Sequence, residues 1–346
     1  MKTFGWAVIG PGKIAHRFAD AVHRTDGAGL VVVQGRDSAR AAAFAQSWSR
    51  DGTTVKATTD VDALLSDDHV DGIYIATPHA FHADAIGCCL AAGKPVLCEK
   101  PLVVNQAEGV AAISLSREHR VFLMEAVWTR FLPVYAVVRE WLQQGAIGGV
   151  RAIQSSFCFN LPFDPAHRAF DPAQAGGSLL DLGIYNLTMT RWILAMVLGK
   201  CPPLKSLHAS AVLASTGVDQ RLAATLEFAD GVTSQFVCGF DASADNTLRI
   251  IGERGVISVP SFWQGTDAQL RVAGKDAVNV SRPFRVNGFE GEIEEAMARI
   301  RQGDIESPVI SHAETLETLV WMDRIRDIVC VRYPFEHSPG KCGPSC

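Results

Sequence analysis

Long apolar runs are missing from this chain. No stretch approaches the roughly 20 residues needed to cross a bilayer, and the most apolar one, Trp192 to Leu198, lies inside a helical pattern. A membrane-spanning role is therefore not expected. The start carries no leader-like segment either: after Met1-Lys2-Thr3 a strand-like run, Phe4 to Ile9, begins at once. The expectation is a cytoplasmic protein without a signal peptide. Positive charge is also in short supply. Lys and Arg number 32 against 37 Asp and Glu, a formal charge of −5. A phosphate-tracking surface wants a basic face, so nucleic acid is not the expected partner. Low-complexity disorder is excluded by a hydrophobic fraction of 48%. Nine cysteines, an odd number, sit among apolar neighbours such as Cys88-Cys89, Cys98 and Cys158. They read as reduced core thiols rather than a disulfide framework.

The 346 residues suggest two domains, at about 150 residues each. The first part alternates strand and helix signals. Candidate strands are Trp6–Ile9, Leu30–Gln34, Gly72–Ala76, Val96–Cys98 and Val121–Met124, short and β-branched as strands buried on both faces should be. Helical patterns lie between them at Ile14–Arg24, Ser38–Ser49, Phe81–Ala92 and Gln106–Glu118. Alternation of this kind implies a parallel sheet with right-handed crossovers. Past residue 126 the rhythm changes. A helix pattern at Val134–Gln144 leads into period-two segments at Val150–Phe159, Ser206–Leu213, Arg221–Phe228, Val232–Phe240 and Leu248–Ile251. Asp230-Gly231 between two of them signals a hairpin. One helix, Gly177 to Leu198, interrupts the series, and Glu290–Gln302 and Glu314–Val331 close it. The expected fold is an α/β Rossmann dinucleotide-binding domain, 1–125, then an α+β domain with a large, mostly antiparallel open sheet, 126–346. The helix near 314–331 is a candidate to pack back on the first domain. The Gly- and Pro-rich tail from His337 to Cys346 reads as frayed. Cys342, Cys346 and His337 fall short of a four-ligand zinc pattern, so no metal is expected.

Gly10-Pro11-Gly12-Lys13-Ile14-Ala15 follows the first strand and opens the first helix. Gly10 permits a tight turn and Gly12 lets backbone approach a pyrophosphate. The helix N-terminus at Lys13 and Ile14 adds partial positive charge. The bare alternative is a plain turn, but the strand–turn–helix context favours dinucleotide binding. The second strand ends Gln34-Gly35-Arg36-Asp37. Gly35 leaves space, and Arg36 offers a guanidinium to a ribose 2′-phosphate and to the adenine face, which favours NADP over NAD. Two alternatives stay open: Asp37 as the ribose ligand, or Asp37 as a helix cap with Arg36 solvated.

Three further motifs follow: Glu99-Lys100-Pro101 after the strand Val96–Cys98, Met124-Glu125-Ala126-Val127-Trp128-Thr129-Arg130-Phe131, and Gly176-Gly177-Ser178-Leu179-Leu180-Asp181-Leu182-Gly183-Ile184-Tyr185. With the glycine loop, and in this order, they resemble the Gfo/Idh/MocA oxidoreductase family, from Phe4 to about Glu336. The likeness is greatest to its dimeric dihydrodiol dehydrogenase and NADP-dependent D-xylose dehydrogenase branch. The resemblance implies a catalytic Lys100. It also implies Asp181 and Tyr185, with Tyr where most members have His. Thr77, Pro78 and His82 match a loop that borders the cofactor, as does Glu99. Arg168 matches half of a Trp-Arg pair that touches the cofactor, His167 replacing the Trp. A homodimer through the second-domain sheet is implied as well.

Hydride transfer from a carbinol requires removal of the hydroxyl proton and stabilisation of the developing oxyanion. A lysine ammonium suits the oxyanion and favours the phenolate of a neighbouring tyrosine. Tyr185 is therefore the expected acid–base and Lys100 its electrostatic partner. Asp181, four residues before Tyr185 on one helix, orients Lys100 or a substrate hydroxyl. Each has a bland alternative: a solvated Lys100, a capping box of Ser178 with Asp181, a core Tyr185. Trp128, Arg130, Phe159 and Trp263 are candidates for the substrate wall, against plain packing. The expected substrate is a cyclic polyol or aldose: a D-xylose-like sugar oxidised at C1-OH to a lactone, or a trans-dihydrodiol oxidised to a catechol. The rivals are a non-catalytic dinucleotide-binding regulator and an NAD enzyme whose tightly bound cofactor recycles.

Overall fold

The structure is a computed structural model and describes residues 2–50 and 54–336. The tail residues His337, Cys342 and Cys346 lie outside the described residues. The chain forms two compact units, 1–131 with 284–316, and 132–283 with 317–346. A single cut at 125/126 misses this discontinuity. Periodicity finds a helix; it does not say which sheet the helix covers.

In the first unit a parallel sheet is built from β1 (Phe4–Ile9), β2 (Ala28–Gln34), β3 (Lys56–Thr58), β4 (Gly72–Ile75), β5 (Val96–Glu99) and β6 (Leu123–Ala126). Its strand order is β3-β2-β1-β4-β5-β6. The order reverses between β1 and β4, the place where such sheets bind ligands beyond their carboxyl ends. Helices α1 (Lys13–His23), α2 (Ser38–Trp48), α3 (Val61–Leu65), α4 (His82–Ala91) and α5 (Gln106–His119) supply the crossovers. β1, β4, β5 and β6 are buried at every residue, the pattern of strands covered on both faces. Asn105 caps α5, its side chain accepting from Glu108 N at 2.9 Å. Two elements escaped the sequence reading, β3 and α3, because both are too short to show a period.

The second unit holds α6 (Val134–Gln143) and an eight-stranded sheet. Its strands are β7 (Val150–Cys158), β8 (Leu204–Leu213), β9 (Asp219–Phe228), β10 (Thr233–Gly239), β11 (Leu248–Gly252), β12 (Gly255–Val259), β13 (Asp267–Val272) and β14 (Val278–Ser281). The order is β14-β13-β12-β11-β7-β10-β9-β8, with β7 and β10 parallel and the other neighbours antiparallel. The Asp230-Gly231 hairpin joins β9 to β10, Phe228 N donating to Val232 O at 2.9 Å. β12 to β14 were not expected; turn residues interrupt their alternation.

Helix α7 (Ile184–Leu198) is buried at every residue from Ile184 to Leu194. Two of its polar side chains bond to the sheet: Asn186 Nδ2 donates to Ser155 Oγ at 2.8 Å, and Thr190 Oγ1 meets Ser234 Oγ at 2.8 Å. Thr188 Oγ1 and Asn186 Oδ1 are buried without such a partner. The opposite sheet face carries Gln154, His208, Ser210, Thr225, Gln235 and Arg249 and is open. Helix α8 (Glu290–Gln302) belongs to the first unit, and the division passes through α9 (His312–Val329) between Leu316 and Glu317. Cys89, Cys98, Cys158 and Cys238 are buried thiols, whereas Cys88 and Cys330 are exposed. Neighbours on a helix face different ways, so Cys88 is no core residue.

Candidate active site

The first-unit candidates gather at the carboxyl ends of β1, β2, β4 and β5. Gly10 has φ +95°, and a Cβ there would lie 2.8 Å from Ala76 O and 2.9 Å from Thr77 N. Only glycine fits. Gly12 begins α1 from extended backbone, and the nearest atom to a Cβ there is Ala76 O at 3.9 Å. Open space thus borders the helix N-terminus at Lys13 and Ile14, both exposed. Thr77 Oγ1 is buried without a hydrogen-bond partner at the same turn. An open helix N-terminus beside an unsatisfied hydroxyl fits a pyrophosphate.

At the end of β2, Gly35 serves a different purpose from the one expected. A Cβ there would lie 2.8 Å from the Pro11 ring, so the space belongs to Pro11 and not to a phosphate. Arg36 is exposed, its guanidinium 5.1 Å above the Phe81 ring. Asp37 caps α2, accepting from Arg40 N at 3.0 Å.

His82 is fully buried. Nδ1 meets Pro101 O and Nε2 meets Thr77 O, each at 2.9 Å. Burial pulls its pKa down. A neutral ring donates from one nitrogen only, so His82, set between carbonyls of the Thr77 and Pro101 loops, bonds one of the two. Glu99 is likewise taken up by its own unit: Tyr74 Oη donates to Oε1, and Lys100 N donates to Oε2 at 3.2 Å. Lys100 is 9% exposed and joined to Pro101 by a cis peptide. Glu125 lies in the Met124–Phe131 motif, at the end of β6. It accepts from Leu102 N at 3.0 Å and from Thr315 Oγ1 at 2.8 Å, so it holds the loop after Lys100. Burial pushes its carboxyl pKa up, against those hydrogen bonds.

Trp128 and Arg130 make their described contacts within this unit. The Arg17 guanidinium lies 4.3 Å over the Trp128 ring, and Phe289 is 5.2 Å from that ring. Arg130 Nη2 donates to Val309 O at 2.7 Å and its side chain is 6% exposed. Both were expected on a substrate wall; within this unit each also packs against these partners.

In the second unit, residues Leu179–Gly183 wind as a π-helical turn that runs into α7. Such turns are rare and recur at functional sites. The expected continuous α-helix is thus widened where Asp181 sits, just before Tyr185. The anticipated capping box does not form. Ser178 Oγ donates to Asp219 Oδ2 at 2.8 Å, and Asp181 faces Arg168, Nη2 lying 3.3 Å from Oδ2. Arg168 therefore has a carboxylate partner within its own unit. Tyr185 is 6% exposed, and Phe157 meets its ring edge-on at 5.6 Å between centroids. Trp263 stacks on Phe157 at 4.1 Å and 19°, and Phe159, 38% exposed, stands 6.3 Å from Phe157. Phe159 and Trp263 thus converge on Tyr185 through Phe157, which the sequence reading missed. The period-two spacing of Phe157 and Phe159, at and just past the end of β7, was the available signal.

No helix among the described residues is long and apolar enough to cross a membrane, and no group of metal-ligating side chains is found among them. The chain is 34% identical to a mouse trans-1,2-dihydrobenzene-1,2-diol dehydrogenase over 95% of its own length and 98% of the relative's. The human enzyme of that name is 33% identical, with the same coverage. Among solved structures, an aldose–aldose oxidoreductase from Caulobacter crescentus superposes with a TM-score of 0.83 at 22% identity, over 95% of this chain and 98% of that one. A 3-ketoreductase from Actinomadura kijaniata, solved with NADP and TDP-benzene, gives 0.82 at 23% with the same coverage. Residues 4–127 match the oxidoreductase family's NAD-binding Rossmann fold. With residues 135–258 matching the Gfo/Idh/MocA C-terminal domain, the chain belongs to the Gfo/Idh/MocA family of oxidoreductases.

Proposed function

We propose that the protein is an NADP-dependent dehydrogenase that moves hydride between the carbinol carbon of a cyclic polyol or aldose and a nicotinamide. The observation that carries this reading is Tyr185, which directly follows the π-helical turn holding Asp181, itself paired with Arg168, and whose ring is met edge-on by Phe157, on which Trp263 stacks. A phenol beside an aromatic wall suits proton exchange with a ring-borne hydroxyl. The dinucleotide would be held by Gly10, Gly12, Lys13, Ile14, Thr77 and Pro78, and it supplies the hydride acceptor when bound. Arg36, exposed at the end of β2, is assigned to the 2′-phosphate, which favours NADP; Asp37 is already used as a cap.

The residues then act as follows. Tyr185 as phenolate takes the hydroxyl proton of the substrate. Lys100 favours the alkoxide that forms as the proton leaves. Asp181 and Arg168, paired, orient a second hydroxyl. An exposed Phe159 and Trp263 stacked on Phe157 accept the flat face of a ring. Two curated relatives carry the diol dehydrogenase name, which makes trans-1,2-dihydrobenzene-1,2-diol the first probe and D-xylose the second. We also propose a cytoplasmic homodimer through the open face of the β8-to-β11 sheet, which mass measurement in solution tests.

Nicotinamide absorbance with NADP and NAD over both probes tests the activity. Reduction of NADP is expected. Tyr185→Phe is expected to lose at least about 100-fold in kcat. Arg36→Ala is expected to raise the KM for NADP about tenfold or more while leaving that for NAD unchanged. A Tyr185→Phe protein at full turnover refutes the acid–base assignment.

A further inference from the structure

The turn that launches the Asp181–Tyr185 segment is gripped from two sides within the second unit. Gly176 N donates to Asp171 O at 3.0 Å, and Gly177 N donates to Ala169 O at 2.9 Å. A Cβ on Gly176 would lie 2.7 Å from Ala169 O. On one side stands Asp219, the first residue of β9 and 1% exposed. Its Oδ2 accepts from Ser178 Oγ at 2.8 Å and from Leu179 N at 2.6 Å. Its Oδ1 has no hydrogen-bond partner and faces Gly177, where a Cβ would lie 2.3 Å away. On the other side stands Tyr333, beyond α9, whose Oη donates to Gly176 O at 2.7 Å. Tyr333 is in turn held by Arg326, 5.0 Å above its ring, which also bonds both oxygens of Glu336 at 2.8 Å.

A buried carboxylate is a costly group to place at a helix start when a serine one residue away offers an ordinary cap. Ser178 does not cap; it donates its hydroxyl to Asp219 instead. The same turn brings Arg168 and Asp181 together, because residues 169–171 accept the N–H groups of Gly176 and Gly177. Loss of Asp219 frees Leu179 N in the first turn of the π-helix, and Asp181 and Tyr185 lie two and six residues on.

We propose that Asp219 and Tyr333 form a clamp on the Gly176-Gly177-Ser178 turn, and that this clamp positions Asp181 and Tyr185 for proton transfer. The proposal rests on the assignment of Tyr185 as acid–base. Asp219 touches neither substrate nor cofactor; it is a positioning residue. Both donors converge on Oδ2 alone, so an amide oxygen in that place keeps both bonds. Asp219→Asn therefore retains the clamp and Asp219→Ala removes it. Tyr333→Phe removes its other half at the cost of one hydroxyl.

The test is hydrogen–deuterium exchange of the full-length protein over residues 177–186, paired with kcat and KM on the dihydrodiol with NADP. Asp219→Ala is expected to exchange at least about tenfold faster there. It is expected to lose at least about tenfold in kcat, with the KM for NADP unchanged. Asp219→Asn is expected to stay within about threefold of the parent in both readouts. Tyr333→Phe, which keeps the ring and so the fold, is expected to show an intermediate effect. Unchanged exchange in both Asp219→Ala and Tyr333→Phe overturns the clamp. Faster exchange with parental kcat overturns its catalytic role, and so does an Asp219→Asn protein as slow as Asp219→Ala. If Asp219→Ala does not fold, exchange in Tyr333→Phe decides alone. Full turnover in Tyr185→Phe instead removes the acid–base assignment while the exchange result stands.

Discussion

The charge on Asp219 has a price that stability measurements can read. The carboxyl is fully buried, and burial pushes its pKa to about 6 from an ordinary 3.8, against hydrogen bonds from Ser178 and Leu179 and the attraction of Arg326. Cys238 and Tyr333, which also face it, are themselves pushed up by burial and stay neutral at pH 7. A carboxyl whose folded pKa exceeds its unfolded pKa binds protons more readily in the native state. Stability conferred at that group therefore falls as pH rises from about 4 through about 6, and the loss is complete above pH 7. The gap between about 6 and 3.8 corresponds to about 3 kcal/mol at 1.36 kcal/mol per tenfold. Asp219→Asn removes the charge and keeps an acceptor at Oδ2. Its amide N–H has no partner at the Oδ1 position, which offsets part of the gain by about 1–3 kcal/mol, but that offset does not vary with pH. The diagnostic quantity is thus the slope: relative to the parent, Asp219→Asn gains about 3 kcal/mol between pH 4 and pH 8. Urea unfolding of both proteins across that range measures it. A difference that stays flat with pH, or that shrinks as pH rises, refutes the reasoning.

Three other outcomes follow from the same structure. Gly10→Ala places a Cβ 2.8 Å from Ala76 O at a φ of +95°, so it is expected to cost more than about 1 kcal/mol and to abolish NADPH binding in a fluorescence titration. Glu292 is fully buried on α8 with neither oxygen hydrogen-bonded, and burial beside Glu99 raises its pKa well above the carboxylate range. The parent is therefore expected to lose stability as pH rises through that raised pKa and Glu292→Gln is not, a comparison thermal melts at pH 6 and pH 9 make. Glu125→Gln keeps an acceptor for Leu102 N at Oε1, and its amide N–H can donate to Thr315 Oγ1 once that hydroxyl turns, so kcat is expected to change less than about threefold, whereas Glu125→Ala frees the loop after Lys100 and is expected to cost at least about tenfold.

Much of the architecture was legible because local periods carry it. Fully apolar short strands between amphipathic helices can only be a parallel sheet covered on both faces, and Asp230-Gly231 can hardly be anything but a hairpin turn. The glycine loop was legible for a related reason. A strand that turns directly into a helix needs a residue with positive φ, and Gly10 is that residue. The order of motifs from Glu99-Lys100-Pro101 to Asp181 and Tyr185 identified the family. What these signals share is range: each is written within about a dozen neighbouring residues.

Partners distant in sequence were not legible. Gly35 reads as open space until Pro11 fills it, and nothing near Trp128 in sequence announces Arg17 and Phe289 against its ring. His82 reads as a cofactor neighbour, and only the fold sets both of its ring nitrogens against backbone carbonyls. Ser178 with Asp181 has the spacing of a capping box, and only the fold brings Asp219 from 41 residues away to take the Ser178 hydroxyl. A side chain's bonding partner is decided by a three-dimensional competition among every donor and acceptor within about 3 Å. Sequence spacing ranks only the local competitors. The sequence alone therefore determined the fold class, the dinucleotide loop and the family, whereas tertiary structure decided which polar groups are spent inside each unit.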